Sequence, residues 1–137
     1  IYTRIFLISF GCSMVINTLL VFFSLSLTAQ NQAKLCFLKK TIDLGEFVCT
    51  KDSIVKINFI FSNNGDAPLV IYNIVASCGC VKPKWPKKPI KSGEKSIVCI
   101  ELDTKDRHGV FTKDIYVESN SIERVLLLKI KGNIKRL

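Results

Sequence analysis

Residue arrangements that mark the common classes of enzyme are missing from this chain of 137 residues. It has one histidine, no glycine-rich phosphate loop and no arrangement of Ser, His and Asp suited to nucleophilic catalysis. Carboxylates paired at a spacing useful for acid–base catalysis are also lacking. We therefore predict that the protein is not an enzyme and that it uses no cofactor.

Aromatic residues are scarce, and acidic residues are outnumbered by basic ones. Only 9% of the residues are Phe, Trp or Tyr, and they do not alternate with basic residues as they do where nucleobases stack. Lys and Arg number 20 against 11 Asp and Glu. Residues 30–137 carry all of these except Arg4, which gives them a net charge of +8. We expect a partner with an anionic surface, an envelope protein or a glycan, and no nucleic acid.

Charged residues are almost absent from the first 29 positions. Residues 5–27 form an uncharged, largely apolar run that closes on Leu27-Thr28-Ala29. This pattern predicts a signal peptide over residues 1–29. The run is also long enough for a helix that spans a bilayer, which needs about 20 residues, so a retained membrane anchor is the alternative. Either one predicts that residues 30–137 lie outside the cytoplasm, in the periplasm or secreted, with the membrane as a partner only if the segment is retained.

A helical period is missing beyond the N-terminal segment. Apolar residues alternate with polar ones instead, as in Val55, Ile57, Phe59 and Phe61, and turn residues separate short runs of this kind. The predicted strands are 42–44, which Gly45 closes, 55–61, 69–76, 98–102, 111–118 and 126–130. The prolines of residues 83–89 predict an extended, irregular segment. Six or seven short strands indicate an all-β fold, an antiparallel β-sandwich, with an antiparallel barrel as the alternative.

The predicted domain covers residues 40–137, and residues 30–39 are predicted to be a short lead-in. Within the strand over 111–118, Lys113 falls on the same face as Phe111 and Ile115. A lysine in an otherwise apolar row predicts a β-bulge or an edge position there.

One stretch of the sequence is unusual: Ser77-Cys78-Gly79-Cys80 followed by Pro83-Lys84-Trp85-Pro86. Together with Ile42-Asp43-Leu44-Gly45 and residues 59–65, it resembles the bacterial domain of unknown function 1573 family over roughly residues 40–134. The resemblance implies an exported immunoglobulin-like sandwich of about seven strands, similar in architecture to the domains of motile-sperm and cilium-associated proteins. It implies no known activity.

Cys78 and Cys80 are the leading candidates for chemistry, because the glycine between them permits a turn that brings two thiols together. The first interpretation is structural: a disulfide or two buried thiols that tighten a strand-to-loop corner. The second is a thiol redox role, which neighbouring lysines would favour by stabilising a thiolate. The third is copper(I) or zinc handling. Two ligands are too few for a closed zinc site, so Cys49, Cys99 or His108 would have to converge on the pair, and we predict no metal.

The number of cysteines in the predicted exported part of the chain is odd. Residues 30–137 hold five cysteines, so at least one thiol is free or intermolecular. Cys36 is the candidate for it. We expect Cys99 to pack as a small apolar side chain or to bond to Cys49. His108, the single histidine, is predicted to be a solvated turn residue.

Lysines are concentrated between residues 82 and 95, where Glu94 is the one acidic residue. We use the term docking loop for Lys82, Lys84, Trp85, Lys87 and Lys88. A run of this kind is most often a solvated face, and its functional interpretation is a patch that docks an anionic partner. Trp85 is expected to be a lid over the core, with a ligand platform as the alternative.

These observations predict an exported, non-enzymatic interaction module. It would bind an envelope protein or a glycan through a sheet edge or through the docking loop. The alternative is a thiol redox or copper- and zinc-handling protein built on Cys78-Gly79-Cys80.

Overall fold

Alternating apolar residues build eight β-strands in a computed structural model that describes residues 30–50 and 53–136. The predicted signal peptide or anchor helix over residues 1–29 lies outside the described residues. The strands are β1 (Leu35–Phe37), β2 (Thr41–Cys49), β3 (Ile54–Asn63), β4 (Ile71–Ala76), β5 (Val81–Lys84), β6 (Lys95–Asp103), β7 (Gly109–Ser119) and β8 (Val125–Arg136). No helix occurs within these described ranges.

The strands form two four-stranded sheets packed as an immunoglobulin-like sandwich. The first sheet has the order β1-β3-β6-β5 and the second has the order β2-β8-β7-β4. The predicted all-β sandwich is therefore confirmed, with eight strands where about seven were expected, and the barrel alternative is wrong. All strand pairs are antiparallel except β2 with β8, which run parallel from Thr41 opposite Lys129 to Cys49 opposite Arg136.

The core lies between the two sheets, and the period-two pattern of the long strands supplies it. Apolar residues on the inward faces are almost fully buried, whereas their polar neighbours face solvent. Removing such side chains from water is the main force that holds the sandwich together, about 1.5–3 kcal/mol for each one. The inward residues of the four central strands are Ile57, Phe59 and Phe61, then Val98, Ile100 and Leu102, then Ile115 and Val117, then Leu126, Leu128 and Ile130.

The segment 30–39 is part of the fold, which corrects the prediction of a short lead-in. It contains β1, and both Ala33 and Leu35 are buried in the core. Ala33 forms an isolated parallel bridge with Ser121, and the amide of Leu35 donates a hydrogen bond of 2.9 Å to the Ser121 hydroxyl. A three-residue strand is too short to show alternation, which is why the sequence pattern did not reveal it.

The turn after β3 holds this N-terminal segment. Asn63 is fully buried, and its side-chain oxygen accepts hydrogen bonds from the amides of Lys34 and Gly65. A Cβ at Gly65 would overlap the backbone of residues 32–34, so only glycine allows this approach. We call the contacts of residues 32–35 with residues 63–66 and Ser121 the N-terminal clamp.

Two details of the strands differ from the sequence-based expectation. β2 does not end at Gly45 but continues through a bulge there, because Gly45 takes a φ of 62° and the register shifts between Asp43 and Glu46. Pro83, expected in an irregular segment, lies in β5, an edge strand that tolerates a missing amide donor. Of the two outcomes expected at Lys113, the edge position is the one found: it lies beyond the end of β4, and β7 pairs with β8 in continuous register without a bulge.

Candidate functional site

Cys78 and Cys80 form a disulfide at the corner where the chain crosses from one sheet to the other. Their Cα atoms are 5.3 Å apart, and the turn that contains them joins β4 of the second sheet to β5 of the first. Cys80 is 6% exposed and Cys78 is half-buried against the core. The carbonyl of Cys78 accepts a hydrogen bond of 3.2 Å from the amide of Val81, and that of Cys80 accepts one of 2.8 Å from the amide of Asp103.

The glycine between these cysteines is not required by the backbone. Gly79 is absent from the glycines of positive φ, and a Cβ built on it would meet no atom within 4 Å. The turn therefore closes in a conformation that other residues can adopt as well as glycine.

The other cysteines are unbonded and do not converge on the pair. Cys49, at the end of β2, is a buried free thiol, and Cys36 and Cys99 are half-buried free thiols. The expected free thiol at Cys36 is present, but the alternative of a Cys49–Cys99 bond is wrong. Cys99 lies on the outer face of the first sheet, opposite Asn58, and not in the core. Its outward register position explains why it cannot reach the end of β2.

His108 is exposed in the loop that precedes β7, as expected of a turn residue. The metal interpretation needed this histidine, or a further cysteine, beside the disulfide. Within residues 30–50 and 53–136 no group of three or more His, Cys, Asp or Glu side chains could hold a metal ion. The described part of the chain also contains no helix long and apolar enough to cross a membrane.

The docking loop places its first two lysines on the outer face of the first sheet. Lys82 and Lys84 project from β5, and the Lys84 Nζ donates a hydrogen bond of 2.7 Å to the Glu101 Oε1 on β6. This hydrogen bond is the main reason why the pKa of the Glu101 carboxyl is lowered, and the charges of Lys84, Lys56 and Lys82 lower it further. The pKa of Lys84 is raised by the same pair. One carboxylate thus lies among three lysines, and the face remains positively charged.

Trp85 closes the edge of the second sheet, which agrees with its expected role as a lid. It is half-buried against the core, and its indole Nε1 donates a hydrogen bond of 3.3 Å to the carbonyl of Ile71 on β4. The ammonium of Lys87 lies 3.2 Å from the centroid of the indole ring, a cation–π contact. Lys88, next along the chain, is exposed. Because Lys87 covers a face of the ring, the ring is not an open platform for a ligand.

A depression of about 580 Å³ lies beside this lid on the first sheet. Ile60 and Ile97 pair across β3 and β6 at its floor and are 44% and 46% exposed. Lys84, Trp85, Pro86, Lys95 and Ser96 complete its lining. Neither isoleucine was among the site residues expected from the sequence. Their positions in the period-two pattern, in line with the polar residues of each strand, were the signal that could have identified them.

Comparisons with known proteins agree on the fold and leave the activity open. The family model described as protein of unknown function (DUF1573) matches residues 35–134. A search of curated protein sequences finds no match to this chain. Among solved structures, a protein of unknown function from Porphyromonas gingivalis W83 superposes with a TM-score of 0.64 at 17% identity, covering 79% of this chain and 50% of that one. This chain thus spans half the length of that protein.

Two further structures extend the likeness beyond bacterial proteins of unknown function. The ASH / PapD-like domain 7 of human CEP192 superposes with a TM-score of 0.61 at 10% identity, covering 82% of this chain and 92% of that domain. The secreted serine protease VesC from Vibrio cholerae gives a TM-score of 0.55 at 14% identity over 74% of this chain and 23% of the protease. At these identities the likeness establishes the fold alone.

Proposed function

This chain belongs to the family of proteins of unknown function DUF1573, and we propose that it is a non-enzymatic interaction module that acts outside the cytoplasm. Its partner is an anionic envelope protein or glycan. The observation that carries the proposal is the outer face of the first sheet, where lysines surround an exposed pair of isoleucines in an open depression. An apolar centre within a polar rim is the usual arrangement of a recognition surface, and charge of one sign on the rim selects a partner of the opposite charge.

The sheet edges are less suited to binding than this face. β1 and β5 are short, with three and four residues, and β5 contains Pro83. β2 is interrupted by its bulge at Gly45, and the edge of β4 is covered at Ile71 by the indole of Trp85. Interrupted and covered edges resist the addition of another strand. Of the two modes predicted from the sequence, we therefore favour the docking loop over strand addition.

The lining of the depression favours a protein over a neutral glycan. Sugar rings stack on open aromatic faces, and Lys87 already covers the indole of Trp85. Ile60 and Ile97 instead offer an aliphatic surface, and the lysines around them attract carboxylates. An acidic protein segment with apolar side chains complements both features.

Two observations support a location outside the cytoplasm. The N-terminal sequence has the composition of a signal peptide or anchor, and Cys78 and Cys80 are joined in a disulfide. Disulfides persist in oxidising compartments such as the periplasm and are rare in the cytosol.

The proposal is tested by cross-linking in the native envelope followed by affinity capture. We expect a partner to be captured by the wild-type chain and lost from the double variant Lys84→Glu and Lys88→Glu. The matched control is Lys131→Glu, an exposed lysine of β8 on the outer face of the second sheet. Capture that is equal in the double variant, or no specific capture by the wild-type chain, would contradict the proposal.

A thiol redox role is the second candidate, and the Cys78–Cys80 disulfide is the observation in its favour. A partner's thiolate would attack the sulfur of Cys78, the more exposed of the two residues, to form a mixed disulfide and release Cys80 as a thiolate. Replacing both cysteines with serine separates the two candidates. Partner capture persists under the first, whereas thiol–disulfide exchange activity disappears under the second, provided that the variant is shown to be folded.

A further inference from the structure

A second cavity lies at the other end of the sandwich and takes no part in the docking surface. It has a volume of about 180 Å³ and lies beneath the loop of residues 106–109. Its floor is apolar, formed by Leu102, Phe111 and Ile134 of three different strands. At ~30 Å³ for each water molecule, it has room for roughly six waters or a ligand of similar size.

Lys113 lines this cavity and has an unusual position. It occupies the inward-facing row of β7, between Phe111 and Ile115, and is half-buried. Within residues 30–50 and 53–136 its ammonium makes no hydrogen bond and no ion pair. A half-buried lysine packs its apolar stem against its neighbours and keeps its ammonium at the end of the chain, here without an anionic partner. The fold thus supplies an unpaired positive charge beside an apolar surface.

The other polar side chains of the cavity leave this charge unneutralised. Arg107 and His108 line the cavity as well and likewise make no ion pair in the described part of the chain. Asp106 is the acidic residue of the lining, and its Oδ1 is engaged by the Arg136 guanidinium at 3.1 Å. Its φ of 56° belongs to the left-handed region, which aspartate tolerates better than most residues. The Asp106 carboxylate is thus paired with Arg136 in the loop over the cavity, and not with Lys113.

We propose that this cavity binds a small carboxylate with a branched apolar group. The carboxylate accepts charge-assisted hydrogen bonds from Lys113 and Arg107, and the apolar group covers Leu102, Phe111 and Ile134. A free branched-chain acid and the C-terminal residue of a peptide share this chemistry. The proposal is independent of the docking surface on the first sheet.

The test is a titration of the ¹⁵N-labelled protein followed by NMR, with isovalerate as the probe. We expect saturable shifts of the amides of residues 107–113. The neutral analogue isovaleramide and inorganic phosphate bind at least ~10-fold more weakly, because the first lacks the charge and the second lacks the apolar group. Titration with Gly-Gly-Leu distinguishes the sources: shifts at the same amides extend the site to peptide C-termini, and their absence restricts it to free acids.

Two variants and one control connect the binding to Lys113. Lys113→Met keeps the length and apolar stem of the side chain, so the fold is retained, and we expect the affinity for isovalerate to fall ~10-fold or more. Lys113→Arg restores the charge and most of the affinity. The control Lys131→Met removes an exposed charge from the strand beside it and changes the affinity less than ~2-fold. Absence of saturable shifts, equal binding of isovaleramide or phosphate, or unchanged affinity in Lys113→Met would overturn the proposal.

Discussion

We expect Asn63→Ala, at the buried asparagine of the turn after β3, to be among the single substitutions that lower the free energy of unfolding most. Its Nδ2 donates hydrogen bonds of 2.8 Å to the Ala67 carbonyl and 3.0 Å to the Ile90 carbonyl. Its Oδ1 accepts others of 3.2 Å from the Lys34 amide and 3.1 Å from the Gly65 amide. At about 1 kcal/mol each, and with buried backbone groups left unsatisfied, the loss is about 3–5 kcal/mol. A domain of this size is stable by about 5–15 kcal/mol in total.

Urea unfolding, followed by tryptophan fluorescence, measures this loss. The matched control is Asn64→Ala, since Asn64 is exposed and its side chain accepts one hydrogen bond, from Ser62. We expect that control to cost less than about 1 kcal/mol. If the free energies of unfolding of Asn63→Ala and of the control differ by less than about 1 kcal/mol, the contribution of a single hydrogen bond, the reasoning is refuted.

The remaining predictions concern the turns, one ion pair and the disulfide. Gly65→Ala should lower the free energy of unfolding by more than about 2 kcal/mol, because the new Cβ overlaps the backbone of residues 32–34. Gly79→Ala should change it by less than about 1 kcal/mol, because its Cβ meets no atom. Thermal unfolding of the two variants measures the difference. The pKa of Glu101 is lowered in the folded state, so its ionised carboxylate stabilises the fold above the ordinary glutamate pKa, and this stabilisation is lost as the pH falls. The difference in urea midpoint between wild type and Glu101→Gln should therefore shrink on acidification. A difference that stays constant with pH would contradict this. Alkylation of the unfolded, unreduced protein should leave Cys78 and Cys80 unlabelled in its intact mass, and labelling of either would show that the bond is absent.

The long strands were predictable from the sequence because one face of each strand is buried and the other faces solvent, which makes apolar and polar residues alternate. Phe59 and Phe61 alternate with polar or exposed positions, and the structure places them at the centre of the core. Strand pairing left no such mark. The parallel contact of Thr41 with Lys129 joins residues far apart in the chain, and nothing in either segment specifies the other.

The site was predictable in composition but not in geometry. The adjacency of Cys78 and Cys80 was enough to propose a disulfide, and the lysine-rich segment was enough to propose a charged patch. The neighbours that give this patch its shape come from β3 and β6, and they could be identified only once the register had placed Ile60 beside Ile97. Asn63 shows the same limit, because an asparagine that starts a turn and one that is fully buried look alike in the sequence.

The N-terminal clamp has a mechanical consequence. A pull on the chain from the side of residue 30 is carried first by hydrogen bonds that end on two separate parts of the sandwich, the turn of residues 63–66 and Ser121. The bonds alternate along the segment: residues 32 and 34 bond to the turn, and residues 33 and 35 bond to residues 121–122, so both parts share the load as the segment is pulled. Tension applied there is thus spread over β3 and the connection between β7 and β8. Along the chain the clamp precedes β2 and the disulfide corner of Cys78 and Cys80, so tension from residue 30 reaches them through the backbone only after the clamp yields.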